Sequence, residues 1–181
     1  KMVPLRQIWR ISQHLCRIIR KKEGRLFHLW RMNCCAVISF RSVLAFITMG
    51  GVTPLLQTLK ELEKKGVKGQ ILTTNYLNFS EPRALEKLNG LKNITLKMYD
   101  VEAAGNGFHT KGYIFKKEEV YRIILGSSNM TNAALTSNIE WNTKIISTEQ
   151  GEVASEIVKR IQFVFGIQSM LWILKPFMKF T

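Results

Sequence analysis

His109 and Lys111 lie two residues apart in Phe108-His109-Thr110-Lys111; Gly126-Ser127-Ser128-Asn129 begins fifteen residues after that lysine, and Glu140 comes eleven residues after the asparagine. An imidazole, a fixed cation, hydroxyls, an amide and a carboxylate are the groups from which a phosphate site with its own nucleophile can be built. Lys111 supplies a point charge. Asn129 and Ser127 or Ser128 supply neutral donors, so together they can hold non-bridging phosphate oxygens and stabilise charge as phosphorus becomes five-coordinate. His109 can serve as nucleophile or general acid, because an imidazole in general can give or take a proton near neutral pH. Glu140, placed on the far ring nitrogen, would fix the tautomer and support the imidazolium.

For these groups to meet, neighbouring strands must present them. The aromatic and branched residues of 108–115 predict a strand whose period of two puts His109 and Lys111 on one face, and Ser127 and Asn129 keep the same spacing. Residues 120–125 form a hairpin with that strand around the polar turn Lys116 to Glu119, and Asn129 is expected at the end of the second strand. Upstream, the apolar run 43–48 reads as a buried strand ended by Gly50-Gly51. Thr53 caps a helix with Pro54 in its first turn, Val52, Leu55, Leu56, Leu59 and Leu62 on one face, and Gly66 as its stop. A strand over 71–74, a helix over 81–88 capped by Ser80, and a strand over 94–99 follow, then a polar loop over 100–107. Met130 to Leu135 suggests a short helix, 140–146 a strand, and 149–165 a helix with Val153, Ile157, Ile161 and Val164 inward. The fold class is therefore α/β: a mixed, largely parallel sheet with helices on both faces.

His-x-Lys, then Gly-Ser-x-Asn, then a glutamate resembles the phospholipase D superfamily. The wider text, TTNYL at 73–77, EPRAL at 81–85, FHTKGYIF, GSSNMTNAAL and NIEWN, is most similar to the phospholipase-D-like nuclease domain at the front of some bacterial DEAD/DEAH-box helicases. That resemblance implies a metal-independent phosphodiesterase that acts through a phosphohistidine at His109 and needs no cofactor. It also implies two His-x-Lys elements meeting at one site; this chain carries one, so a homodimer or a borrowed partner domain would complete it. Lys116 stands where the family motif often has an aspartate.

The 181 residues permit one domain with a proper core, and 46% apolar with 22% charged residues is ordinary for a globular protein. The net charge of +14 is not, and it comes mostly from the ends. Residues 1–45 hold ten Lys or Arg against one acid, while residues 46–159 hold fourteen against twelve. The first segment also has seven Arg to three Lys, all three cysteines (Cys16, Cys34, Cys35), two of the four Trp, and His14 and His28. Three readings stand for residues 1–43: an Arg-rich arm for nucleic acid or anionic lipid, a targeting peptide, or sequence translated out of frame, the last being preferred. The domain proper is then 44–159, and 160–181 is an apolar segment open to the same out-of-frame reading. The run from Ile161 to Leu174, about fourteen residues, is too short to span a bilayer. Adjacent Cys34-Cys35 match no zinc spacing, and three free thiols suit a reducing, cytoplasmic setting.

Tyr76, Tyr113 and Trp141 are candidate nucleic-acid contacts through base stacking. Three functional readings follow: a metal-independent nuclease cutting DNA, a non-catalytic phosphate- or nucleic-acid-binding module of a larger helicase, and a lipid phosphodiesterase. No nucleotide-binding P-loop occurs, so a helicase motor would lie outside these residues.

Overall fold

The computed structural model describes residues 17–18, 30, 36–105, 107, 109–166 and 171–173. Among the described residues eight strands form one sheet: β1 (Arg17–Ile18), β2 (Ser39–Val43), β3 (Lys68–Thr74), β4 (Ile94–Tyr99), β5 (Gly112–Lys117), β6 (Val120–Gly126), β7 (Asn142–Thr148) and β8 (Leu171–Ile173). Their order is β1-β7-β6-β5-β2-β3-β4-β8. Only β2, β3 and β4 run parallel to one another; every other pairing is antiparallel. The sheet is mixed, as expected, with a smaller parallel share than the sequence suggested.

Helices cover both faces. On one side Leu55, Leu59 and Leu62 from the helical run that begins with α1 (Met49–Val52) and ends with α2 (Leu56–Lys64) join Ala84, Leu85 and Leu88 of α3 (Pro82–Asn89). They pack on Phe40, Ile71, Tyr113, Phe115 and Ile124. On the other, α6 (Glu152–Gly166) lays Ala154, Val158, Ile161 and Phe165 on Val43, Leu72, Ile114 and Ile123. The alternation Tyr113, Ile114, Phe115 thus feeds two cores, as a strand covered on both faces must. Each fully buried aliphatic side chain contributes roughly 1.5–3 kcal/mol. Trp30 is fully buried, edge-on to Phe40 and Phe115.

Several expectations are corrected. The first core strand begins at Ser39 and ends at Val43, so the run 44–48 is the loop leaving it rather than the strand. Gly50 and Gly51 sit inside α1, where a side chain at Gly51 would overlap the Met130 carbonyl. The chain is therefore already helical before Thr53, and neither Thr53 nor Thr48 caps it. Ser80 does not cap α3; its hydroxyl accepts from Ile47 N at 3.3 Å and lies 3.1 Å from Thr73 Oγ1. The loop after β4 contains a short helix, α4 (Val101–Ala104), capped by the Asp100 carboxylate, and the short helix expected over 130–135 is α5 (Asn132–Thr136), capped by Thr131. In α6 the buried stripe is displaced by one residue at its start, leaving Val153 exposed.

Residues 17–18 and 171–173 pair with β7 and β4, so both flanking segments lend a strand to the sheet. Phe108, Cys16, Cys34, Cys35, His14 and His28 lie outside the described residues. Among the described residues no helix is long and apolar enough to cross a membrane.

Candidate phosphate site

Strand register gathers the candidate residues at one end of the sheet. A single row crosses it: Lys97 opposite Leu72, Leu72 opposite Val43, Val43 opposite Gly112, Gly112 opposite Leu125, and Leu125 opposite Thr143. His109 and Lys111 precede Gly112, Ser127 and Asn129 follow Leu125, Glu140 and Trp141 precede Thr143, and Phe46 and Tyr76 follow Val43 and Leu72. Reversal of direction at each antiparallel partner makes sequence-distant positions spatial neighbours.

The strand predicted over 108–115 starts only at Gly112, so His109 and Lys111 belong to an irregular lead-in rather than to one strand face. Its anchor is Gly126 N, which donates to Lys111 O at 3.1 Å. Lys111 Nζ lies 2.8 Å from His109 Nδ1 and donates to His109 O at 2.7 Å. An ammonium only donates, so Nδ1 accepts and the neutral ring carries its hydrogen on Nε2. Burial lowers the Lys111 pKa, and the nearby Glu140 carboxylate partly opposes that.

Beyond β6, Ser127 N donates to Trp141 O at 3.0 Å and Trp141 N donates to Ser127 Oγ at 3.1 Å. The Ser127 hydroxyl in turn donates to Glu140 Oε2, and Asn138 Nδ2 donates to Glu140 Oε1 at 3.3 Å. Glycine is required at 126, because a Cβ there would overlap Trp141 O and the Asn142 side chain. Glu140 is thus held by Ser127 and Asn138 rather than by the His109 ring nitrogen expected to receive it, which faces Lys111 instead.

Asn129 is buried, and its Oδ1 accepts from Ala45 N and Phe46 N, both at 3.1 Å. Two backbone donors on that oxygen fix the amide orientation and leave the NH2 as the outward donor. Ser128 is fully buried, with its Oγ accepting from Asn142 Nδ2 at 2.8 Å, so it is an interior residue and not the phosphate donor expected of it as an alternative to Ser127. Tyr113 is also interior: its hydroxyl donates to Ser128 O at 3.2 Å and burial drives its pKa far upward, so it is a core residue and not a surface for bases. Trp141 is 68% exposed and Tyr76 38%.

Sequence reasoning missed Phe46, whose ring centroid is 5.8 Å from that of His109 at 84°, and the backbone N–H pair of Ala45 and Phe46. Reading 43–48 as a continuous strand hid the loop that carries them. Lys116 lies at the far end of β5, opposite Ser39 and Tyr121, and pairs with Glu149 at 2.7 Å. It is four residue steps along the strand from Gly112, on the order of 13 Å, so this position does not reach the site. Among the described residues no group of three or more His, Cys, Asp or Glu is placed to hold a metal ion.

Comparison with known proteins bears on the fold and the family. The chain resembles the Nuc member of the phospholipase D family from Salmonella typhimurium, with a TM-score of 0.61 at 22% identity over 83% of this chain and 93% of that one. NucT from Helicobacter pylori gives 0.62 at 15% identity over 86% and 96%. Phosphatidylserine synthase from Haemophilus influenzae gives 0.61 at 12% identity over 88% of this chain and 39% of that one. No curated protein matches. These likenesses establish the shared fold, and the family model described as "Cardiolipin synthase, PLD-like domain" matches residues 41–164, well over half of the chain, so the protein belongs to the phospholipase D-like family.

Proposed function

We propose that the chain is a metal-independent phosphodiesterase acting on nucleic acid, with His109 as nucleophile. The observation that carries this reading is the arrival of His109, Lys111, Ser127, Asn129 and Glu140 at one end of the sheet, with Lys111 on the His109 ring and Ser127 on Glu140. A phosphodiester entering there competes for the Lys111 ammonium and the Asn129 NH2. Once Lys111 turns to the phosphate, the ring hydrogen can pass to Nδ1, where Glu140 would support it, and Nε2 is free to attack. The P–N bond forms as the P–O bond to the leaving group breaks, and the leaving oxygen takes a proton from a second imidazole. Water then hydrolyses the P–N bond and returns a proton to that imidazole. With one His-x-Lys element per chain, the second imidazole is His109 of a second copy, so the active form is a homodimer.

Nucleic acid, DNA in particular, is favoured by the resemblance of the motif-bearing segments and by Trp141, whose ring is exposed beside Glu140 and can stack on a base. A helicase domain outside these residues and a cytoplasmic setting complete the proposal on sequence grounds. The test is nicking of plasmid DNA in excess EDTA: the wild-type chain cleaves, and His109→Ala falls by at least about a hundredfold. Salt-sensitive DNA binding without cleavage would instead establish the non-catalytic module, and release of a headgroup from phospholipid with inert DNA would establish the lipid enzyme.

A further inference from the structure

We infer that Tyr76 is a positioning residue for His109, acting with Phe46 as one of two walls that set the imidazole plane; this rests on the proposed role of His109. Because the histidine precedes β5, no ladder hydrogen bond among the described residues holds its backbone as it would in a strand. Its ring is fixed instead by what touches it. Tyr76 stands edge-on at 5.8 Å and 82°, Phe46 edge-on at 5.8 Å and 84°, and Lys111 bonds Nδ1. Such perpendicular contacts restrict the tilt of a ring while leaving its Nε2 edge accessible.

Both walls are themselves anchored. Phe46 N bonds Asn129 Oδ1, and the Phe46 ring is braced edge-on by Phe79 at 5.1 Å. Tyr76 N donates to Thr74 Oγ1 at 3.2 Å, and the preceding Asn75 donates to Asp100 Oδ1 at 3.0 Å while accepting from Val101 N at 2.9 Å. The next two residues, Leu77 and Asn78, have φ of 50° and 53°. A leucine in the left-handed region is strained, and such strain persists only where the surroundings impose it. Here it turns the chain sharply after Tyr76 and keeps that ring over the histidine. Among the described residues the Tyr76 hydroxyl makes no hydrogen bond, so the ring and not the hydroxyl carries the role.

The experiment compares wild type, Tyr76→Ala and Tyr76→Phe in two readouts. In metal-free cleavage, Tyr76→Ala lowers kcat on the order of tenfold to a hundredfold with KM little changed, the signature of a misplaced reacting group, and Tyr76→Phe restores most of the loss. In NMR, the imidazole C–H resonances assigned to His109 by their disappearance in His109→Ala move in Tyr76→Ala and return towards wild-type positions in Tyr76→Phe. A rise in KM at constant kcat would overturn the inference and make Tyr76 a base contact, as would His109 resonances indifferent to the loss of the Tyr76 ring. If the wild-type chain does not cleave, the proposed function falls and the NMR comparison alone decides whether Tyr76 positions the ring.

Discussion

Lys111 Nζ sits 2.8 Å from His109 Nδ1, so the cation proposed to bind phosphate rests on the ring proposed to attack it. In the proposed mechanism the ammonium leaves Nδ1 for the incoming phosphate. Lys111→Met should therefore abolish phosphate binding at the site and lower the cleavage rate by about a hundredfold or more, the scale for removing one donor of developing charge. Steady-state kinetics on an oligonucleotide in EDTA checks this.

The pH dependence follows from the same lysine. Burial lowers its pKa, so the cation is lost, and activity with it, as pH rises through a value below the ordinary 10.5. Glu140 opposes that shift, and Glu140→Gln should move the titration to still lower pH. The residual rate against pH, or direct NMR titration of the Lys111 side chain, reads the direction; a shift to higher pH would contradict the geometry.

Asn129 separates structure from binding. Asn129→Ala leaves the Ala45 and Phe46 N–H groups without their acceptor, at a cost of about 1–3 kcal/mol for each buried group left unsatisfied. Asn129→Asp keeps the acceptor but replaces the outward NH2 by a carboxylate oxygen. Chemical denaturation should show the alanine variant clearly destabilised and the aspartate variant much less so, while phosphate binding is weakened in both.

Gly126→Ala should destabilise the chain by about 1–3 kcal/mol, the usual cost of overpacking. A methyl group there overlaps Trp141 O and the Asn142 side chain, so β6 and β7 must part just where Ser127 meets Glu140. Denaturation midpoints would measure the loss, and activity should fall with it.

How much of this was legible beforehand depended on the kind of signal. The strand over Ile94–Tyr99 and the stop at Gly66, whose φ is +68°, were readable because apolar alternation and a left-handed glycine are local properties. The five candidate residues were picked out by chemistry and spacing alone. Their contacts could not. Which of Ser127 and Ser128 stays at the surface depends on where β6 ends, and Glu140 bonds Ser127 because of a cross-strand register that no local pattern encodes. Tyr113 and Trp141 look alike as aromatic residues of strands, yet one is interior and the other exposed, because β5 is covered on both faces while Trp141 precedes β7.

Lys116 offers a control outside the site. Its pair with Glu149 raises its own pKa and lowers that of the carboxylate, mainly through the hydrogen bond between them. The pair's contribution is present above pH 4.5, the ordinary value for that carboxylate, and is lost as pH falls through the lowered folded value; at the other end it is lost as pH rises through the raised value of Lys116. Lys116→Asp should slightly lower the melting temperature at pH 7, Glu149→Lys added to it should restore the temperature, and cleavage should be unaffected.

The most direct measurement is the trapping of the covalent intermediate. Chain mixed with phosphodiester in EDTA, quenched in alkali and digested, should yield a peptide carrying the phosphoryl fragment on His109 and none from His109→Ala. Cleavage without that adduct, or an adduct on another residue, would contradict the account.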